Sequence, residues 1–171
     1  MPSFTTHRQV RFSPEQMFAL VADVEKYPEF LPLCEGLRVR ERSVDGQGRE
    51  VLVADMTCGY KAIRESFTSR VTLDRERSHI VVAYIDGPFR YLENNWVFAG
   101  HAKGCEVKFD ISYEFKSRML GLLVGGLFDT AFRKFAEAFE TRAAHIYRPD
   151  AAASSEPGPV LASDEVRPLT S

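Results

Sequence analysis

The spacing of hydrophobic positions changes character twice along this chain. Phe4, Thr6, Arg8, Val10 and Phe12 alternate with Thr5, His7, Gln9 and Arg11, a period of two that predicts a strand with one largely solvated face. Ser13-Pro14-Glu15-Gln16 follows. Ser13 suits an N-cap, Pro14 suits the first helical position, and Gln16 can close a capping box. The predicted helix turns Met17, Phe18, Leu20, Val21 and Val24 inward. Pro28 disfavours α geometry at Tyr27, so a break is expected there. A second short helical turn through Phe30 and Leu31 then stops at Pro32.

From Cys34 to Phe115 the period is that of strands. Leu37 to Ser43 and Glu50 to Cys58 flank a turn whose Asp45-Gly46 is a hairpin signal. Cys58-Gly59-Tyr60 reads as the next corner, followed by a long strand from Tyr60 to Leu73. His79 to Ile85 is almost wholly apolar, which predicts a central strand. Asp86-Gly87-Pro88 turns the chain into a strand from Phe89 to Ala99, which holds the only tryptophan, Trp96. After Gly100 to Gly104, the run Glu106 to Phe115 places Val107, Phe109, Ile111, Tyr113 and Phe115 on one face and charges on the other.

The second change of period comes at Ser117. To Arg148 no proline intervenes, and at 100° per residue the large side chains, from Leu120 and Val124 through Phe128, Phe132 and Phe135 to Phe139 and Ile146, gather in one arc. The spacing predicts one long amphipathic helix of about 45 Å. Its first third is apolar nearly all round, because Met119, Leu122 and Leu123 stand where charges stand later. Such a helix end must be buried on both sides or face lipid or a partner. Gly121, Gly125 and Gly126 there suggest a bend or a close approach by another backbone. Arg142 falls inside the apolar arc and marks where it leaves the core.

One strand, two short helices, six strands and a long helix imply an α+β domain with an antiparallel sheet. The domain is expected over residues 1–148. Residues 149–171 lack periodicity and aromatics and read as a disordered tail. Seven strands curled about one helix leave space, since a single helix face cannot fill a wide concave sheet. An apolar pocket lined by aromatics is expected between them.

Composition and charge narrow the function. The net charge is −2 over 171 residues. Four acids against Arg167 after Pro149 carry most of it, so the body is near neutral and shows no footprint for DNA or other nucleic acid. Cys34, Cys58 and Cys105 are an odd, widely spaced set without a CxxC pair, and read as reduced buried thiols of a cytoplasmic protein. The longest apolar run, Met119 to Phe128, is about half the ~20 residues that span a bilayer. The expectation is a cytoplasmic protein, peripheral at most on the inner membrane, with Met119–Leu123 as the contact.

No catalytic set emerges. His7, His79, His101 and His145 are scattered without metal-ligand spacing, and there is no Gly-x-Ser-x-Gly elbow or phosphate loop. No metal, catalytic residue or cofactor is expected. Polar residues within apolar strands matter more. Asn94 shares a face with Leu92 and Trp96, either hydrogen-bonded to a neighbouring turn or anchoring a ligand head group in an apolar pocket. Glu65 and Ser69 share a face with Ile63, Phe67 and Val71. An inward carboxylate there needs a partner, with Arg64, Arg70 or Arg90 within reach. Glu65 and Glu93 are the only hints of an acid or base for a cyclase-like reaction.

Four stretches carry a family resemblance. They are Tyr27-Pro28-Glu29-Phe30-Leu31-Pro32-Leu33-Cys34, the run Gly87-Pro88-Phe89-Arg90-Tyr91-Leu92-Glu93-Asn94-Asn95-Trp96-Val97-Phe98, the run Val107 to Phe115, and the helix with Phe128 and Ala138-Phe139-Glu140. Together they resemble the coenzyme-Q-binding START-like family of the polyketide cyclase/lipid-transport helix-grip superfamily, whose bacterial members are also named for a ribosome-association toxin. Leu33 stands where the family has tryptophan. The resemblance implies a helix-grip fold with a tunnel between sheet and long helix. It implies binding and delivery of a polyprenyl quinone such as ubiquinone in support of respiratory electron transfer, and no catalysis. Association with the ribosome and cyclase or aromatase activity are the alternatives. The expected ligand-lining set is Leu31 and Pro32, Phe67, Phe89, Leu92, Asn94, Trp96, Phe109 and Tyr113, with Leu120, Val124, Phe128, Phe132 and Phe135 from the helix.

Overall fold

The computed structural model describes residues 3–147; the expected tail, 149–171, lies outside them. The first strand, β1 (Ser3–Val10), is followed by α1 (Pro14–Ala22) and a 3-10 helix (Val24–Glu29). Six strands follow: β2 (Cys34–Val44), β3 (Glu50–Tyr60), β4 (Ile63–Asp74), β5 (His79–Asp86), β6 (Phe89–His101) and β7 (Gly104–Phe115). Two helices, α2 (Arg118–Arg133) and α3 (Phe135–Ile146), end the described chain. The strands form one seven-stranded antiparallel sheet in the order β1-β7-β6-β5-β4-β3-β2. The last six strands are therefore a meander, β1 closes one edge on β7, and the apolar β5 lies at the centre as its sequence predicts.

Several local signals act as read. The Ser13 hydroxyl accepts from the Gln16 amide at 3.0 Å, and the Gln16 side chain accepts from the Ser13 amide at 3.0 Å, a reciprocal box that satisfies two otherwise orphaned donors. Ser117 caps α2 by accepting from Leu120 N at 3.1 Å. Other signals are displaced. The corner after β3 falls at Lys61-Ala62, not at Cys58-Gly59-Tyr60. Tyr60 pairs with Ile63, and Lys61 adopts a left-handed φ of 56°. Cys58 and Gly59 stay in the ladder. The second short helix spans Tyr27-Pro28 instead of starting after it, because its i→i+3 bonds, such as Lys26 N to Asp23 O, tolerate the proline.

The C-terminal helix is also not continuous. Lys134 donates to Ala131 O at 3.0 Å, a tightened i−3 bond, and Ala138 N to Lys134 O at 2.9 Å restarts the helix as α3. Neither proline nor glycine stands at the break, so nothing in the hydrophobic period marks it.

Extra residues at Glu35 and Arg40 in β2, Ile85 in β5 and Arg90 in β6 interrupt the pairing registers. Such bulges increase local bending and twist and help curl the sheet. Its inner face carries Leu52, Phe67, Val71, Leu73, Ile80, Trp96, Phe98, Val107 and Phe109, all buried. Val124, Phe128, Ala131 and Phe132 of α2 and Phe139 and Ala143 of α3 pack onto it. Arg8 on β1 pairs with Glu140 on α3, and Arg142 on α3 pairs with Glu29 while stacking over Phe30 at 5.1 Å. Arg142 thus bolts α3 to the 3-10 turn, and most of its side chain is covered.

Candidate ligand cavity

Between the inner face of the sheet and the α2/α3 junction lies an apolar hollow of about 70 Å³. Its floor comes from alternate residues of neighbouring strands: Ala54 and Met56 of β3, Phe67, Ser69 and Val71 of β4, Val82 of β5, and Leu92, Asn94 and Trp96 of β6. Phe132, Phe135 and Phe139 form the roof, and Val24, Tyr27, Leu31 and Leu37 the side.

Register explains its position. Ala54 of β3 pairs with Ser69 of β4. These two small side chains are flanked along their strands by Leu52 and Met56, and by Phe67 and Val71. A pair of short side chains in a row of long ones leaves an indentation that the roof aromatics bridge without filling. Beside Ser69, β5 carries its bulge: Thr68 pairs with Asp86 and Ser69 with Tyr84, leaving Ile85 over. Bulges next to sites re-aim the strand's side chains.

Polar atoms at the hollow are few. Trp96 Nε1 donates to Asn94 Oδ1 at 3.0 Å, and Asn94 Nδ2 donates to the Asp110 carbonyl at 2.8 Å. Asn94 is therefore held by its own strand and by β7, not by a turn. Tyr27 donates its hydroxyl to the Val21 carbonyl. Burial, with Cys34 and Asp23 nearby, pushes its phenol far above the ordinary value, so it remains a neutral donor. Ser69 Oγ is buried and has no hydrogen-bond partner among the described residues.

The expected lining set divides. Leu31, Phe67, Leu92, Asn94, Trp96, Phe132 and Phe135 line the hollow. The others do not. Pro32 lies in a surface groove against α3 with Phe30 and Arg142. Phe89 and Phe128 are spent on packing: Phe89 stacks on Phe115 at 4.8 Å, and Phe128 meets Phe115 at 5.5 Å and Phe132 at 5.8 Å. Phe109 packs beside its cross-strand partner Trp96 at 4.6 Å, and Tyr113 meets Phe132 at 5.0 Å. Val124 is fully buried and Leu120 partly buried, both away from the hollow. Among the lining residues that sequence reading left out are Ala54, Met56 and Val82, whose inward direction depends on the β3–β4–β5 register, and Ser69, Val71, Ile111 and Phe139, which it turned inward without assigning them to the site.

The remaining candidates lie elsewhere. Glu93 is exposed, and Glu65 is half-buried outside the lining. Arg64 and Arg90, expected near Glu65, pair instead with Glu35 and Glu114. Cys34 and Cys58 face each other across β2 and β3 as free thiols, and Cys105 is buried. Desolvation pushes Cys34 and Cys105 up to about 11 and Cys58 up to about 12, so near neutrality they are thiols and not nucleophilic thiolates. Among the described residues no His, Cys, Asp or Glu group is arranged to hold a metal ion. At the start of α2, Met119, Leu122 and Leu123 are 71%, 82% and 68% exposed. Of the glycines there only Gly121 faces a neighbour, where an added Cβ would touch Phe115 at an ordinary 3.6 Å; a Cβ on Gly125 or Gly126 would meet nothing within 4 Å.

Fold and hollow together define a class: a helix-grip protein, in which a curved antiparallel sheet holds C-terminal helices over an apolar interior. Comparison with known proteins narrows it. The chain belongs to the family described as polyketide cyclase / dehydrase and lipid transport, whose model matches residues 10–140. The ribosome association toxin RatA of Escherichia coli (strain K12) is 34% identical over 148 residues, 86% of this chain and 90% of that protein. The mitochondrial coenzyme Q-binding protein COQ10 homolog B of Xenopus laevis is 28% identical over 148 residues, 84% of this chain and 59% of that protein. The solution structure of the 18 kDa protein CC1736 from Caulobacter crescentus superimposes with a TM-score of 0.70 at 33% identity, covering 86% of this chain and 99% of that one. The START-like branch read from the residues is thus the right one.

Proposed function

We propose that this protein binds a hydrophobic ligand of the polyprenyl quinone class, ubiquinone in particular, and delivers or chaperones it in support of respiratory electron transfer. The observation that carries the reading is the hollow itself, apolar on nearly every side and interrupted only by Ser69, Asn94 and Tyr27. Few polar groups in a greasy wall suit an isoprenoid tail with a small oxygenated ring, and each buried CH₂ contributes about 0.8 kcal/mol. The name of the Xenopus relative points to the same ligand class.

At about 70 Å³ the hollow is roughly half of the ~150 Å³ that admits a benzene ring. Loading therefore requires the wall to yield. Met56, with its unbranched and adaptable side chain, is the lining group best able to move aside. The bare first turns of α2 supply a docking point on a bilayer: Met119, Leu122 and Leu123 project into solvent beside Lys116 and Arg118, apolar residues for the acyl boundary and cations for anionic headgroups. No helix among the described residues is long and apolar enough to cross a membrane, so the contact is peripheral. The reading needs no catalytic group.

The test is extraction of the protein purified from its host, with mass spectrometry of the organic phase. A quinone at near-stoichiometric amount is expected. Its absence, together with failure to take up added quinone, refutes the reading. A second reading, association with the ribosome, is favoured by the names of the RatA relatives. The basic row Arg38, Arg40 and Arg42 is only partly offset by Asp55 and Glu25 and is the cationic surface that RNA phosphates would meet. Co-sedimentation with ribosomal subunits on a sucrose gradient decides it.

A further inference from the structure

We infer that Ser69 is the polar anchor of the ligand site, and that the ligand it selects carries a hydrogen-bonding oxygen on a ring, such as a quinone carbonyl. This deepens the carrier reading above and rests on it. Three independent features converge on Ser69. Its hydroxyl is buried, with 6% of the residue exposed, yet has no partner among the described residues. Leaving a buried hydroxyl unsatisfied is costly, and native interiors rarely do so without a use for the group. Ser69 also faces the hollow, opposite Ala54, at the spot where two small side chains create the space. Finally, the β5 bulge at Ile85 falls against this residue.

Asn94 is differently placed. Its carbonyl oxygen is engaged by Trp96 and one amide hydrogen by Asp110. It is a fixed group with a single spare N–H, whereas Ser69 is wholly uncommitted. A hydroxyl that rotates freely donates to a quinone carbonyl or accepts from a quinol O–H. Ser69 therefore accommodates both redox forms of such a head group and discriminates against a ring that has no oxygen.

The experiment compares wild type with Ser69→Ala and Ser69→Cys by titration calorimetry against decylubiquinone and decylbenzene, ligands with the same tail of which the second lacks the carbonyl, methoxy and methyl groups of the quinone ring. Wild type is expected to prefer the quinone. Ser69→Ala weakens quinone binding about three- to tenfold and leaves decylbenzene within twofold. Ser69→Cys, which keeps the bulk but offers only a weak S–H donor, shows the same loss. Without ligand, Ser69→Ala melts no lower than wild type, because the hydroxyl it removes makes no internal bond. Unchanged quinone affinity in both variants overturns the inference alone, as does an equal loss for both ligands, or a drop of several degrees in the ligand-free melting temperature. Wild type that binds neither ligand overturns the carrier reading and the inference together.

Discussion

Ala54→Val offers a sharp physical test of the hollow. Ala54 pairs in register with Ser69, so two added methyl groups project into the space above that pair. The site prefers the change locally, because a β-branched residue suits a strand. The existing void also forfeits stability. At about 24 cal/mol per Å³ of cavity, the 70 Å³ corresponds to about 1.7 kcal/mol of packing not made. Two buried methyl groups at about 0.8 kcal/mol each recover a similar amount. For a domain of this size, each kcal/mol moves the melting temperature by about 2–4 °C. Ala54→Val is therefore expected to melt about 3–6 °C higher in a calorimetric scan without ligand. The same variant occupies the ligand's seat, and its affinity for decylubiquinone should fall by more than about tenfold. Stability and binding move in opposite directions, as they do when a protein keeps a hole for use. A lower melting temperature would mean the side chains already close the space. Undiminished quinone binding would mean that the ligand sits elsewhere.

Other outcomes follow from the same geometry. Phe128→Asp buries a carboxylate among Phe89, Phe115 and Phe132, so it should destabilise the fold by about 3 kcal/mol or more in denaturant titrations instead of merely lowering ligand occupancy. Gly87 has φ +145°, and an added Cβ would lie 2.6 Å from Phe67 Cβ; Gly87→Ala should cost about 2 kcal/mol or more, seen as a lower urea midpoint. Leu122→Asp should abolish flotation with anionic vesicles while leaving the melting temperature within about a degree, since surface changes stay near ±0.5 kcal/mol. The three thiols have folded pKa values raised from 9.0 to about 11–12. The protonated form is thus favoured in the folded state, and its stabilising effect is complete below pH 9 and is lost as pH rises towards 11–12. Iodoacetamide at pH 8 should label the folded protein slowly and the denatured protein rapidly, and stability should fall above pH 9.

Much of the fold was legible because its signals are local. The alternation of Glu106 to Phe115, the unbroken apolar run of His79 to Ile85 and the Ser13–Gln16 box each depend on a few adjacent residues. The meander of the last six strands followed from short connections, but the place of β1 beside β7, about a hundred residues away, did not. The break at Lys134 was not legible, because it consists of one tightened backbone bond with no proline or glycine to announce it. The corner at Lys61-Ala62 was hidden for a similar reason: Gly59 looks like the turn residue, yet it pairs with Arg64 within the ladder. The site was half legible. Periodicity shows that Phe89, Phe109 and Phe128 point inward, but not that Phe89 and Phe128 pack on each other and Phe109 on Trp96, away from the space. The hollow lies instead where two small residues from different strands meet, and that coincidence exists only once β3 and β4 are in register.

The central claim is that an apolar ligand with a ring head group enters this interior and rests against its floor. Trp96 is the only tryptophan in the chain and lines the hollow, so its fluorescence reports contact directly. Titration with decylubiquinone should quench it saturably, with an end point of one ligand per chain and loss of the effect in Ala54→Val. Quenching that rises without saturation, as it does for free tryptophan in the same solution, would contradict the account.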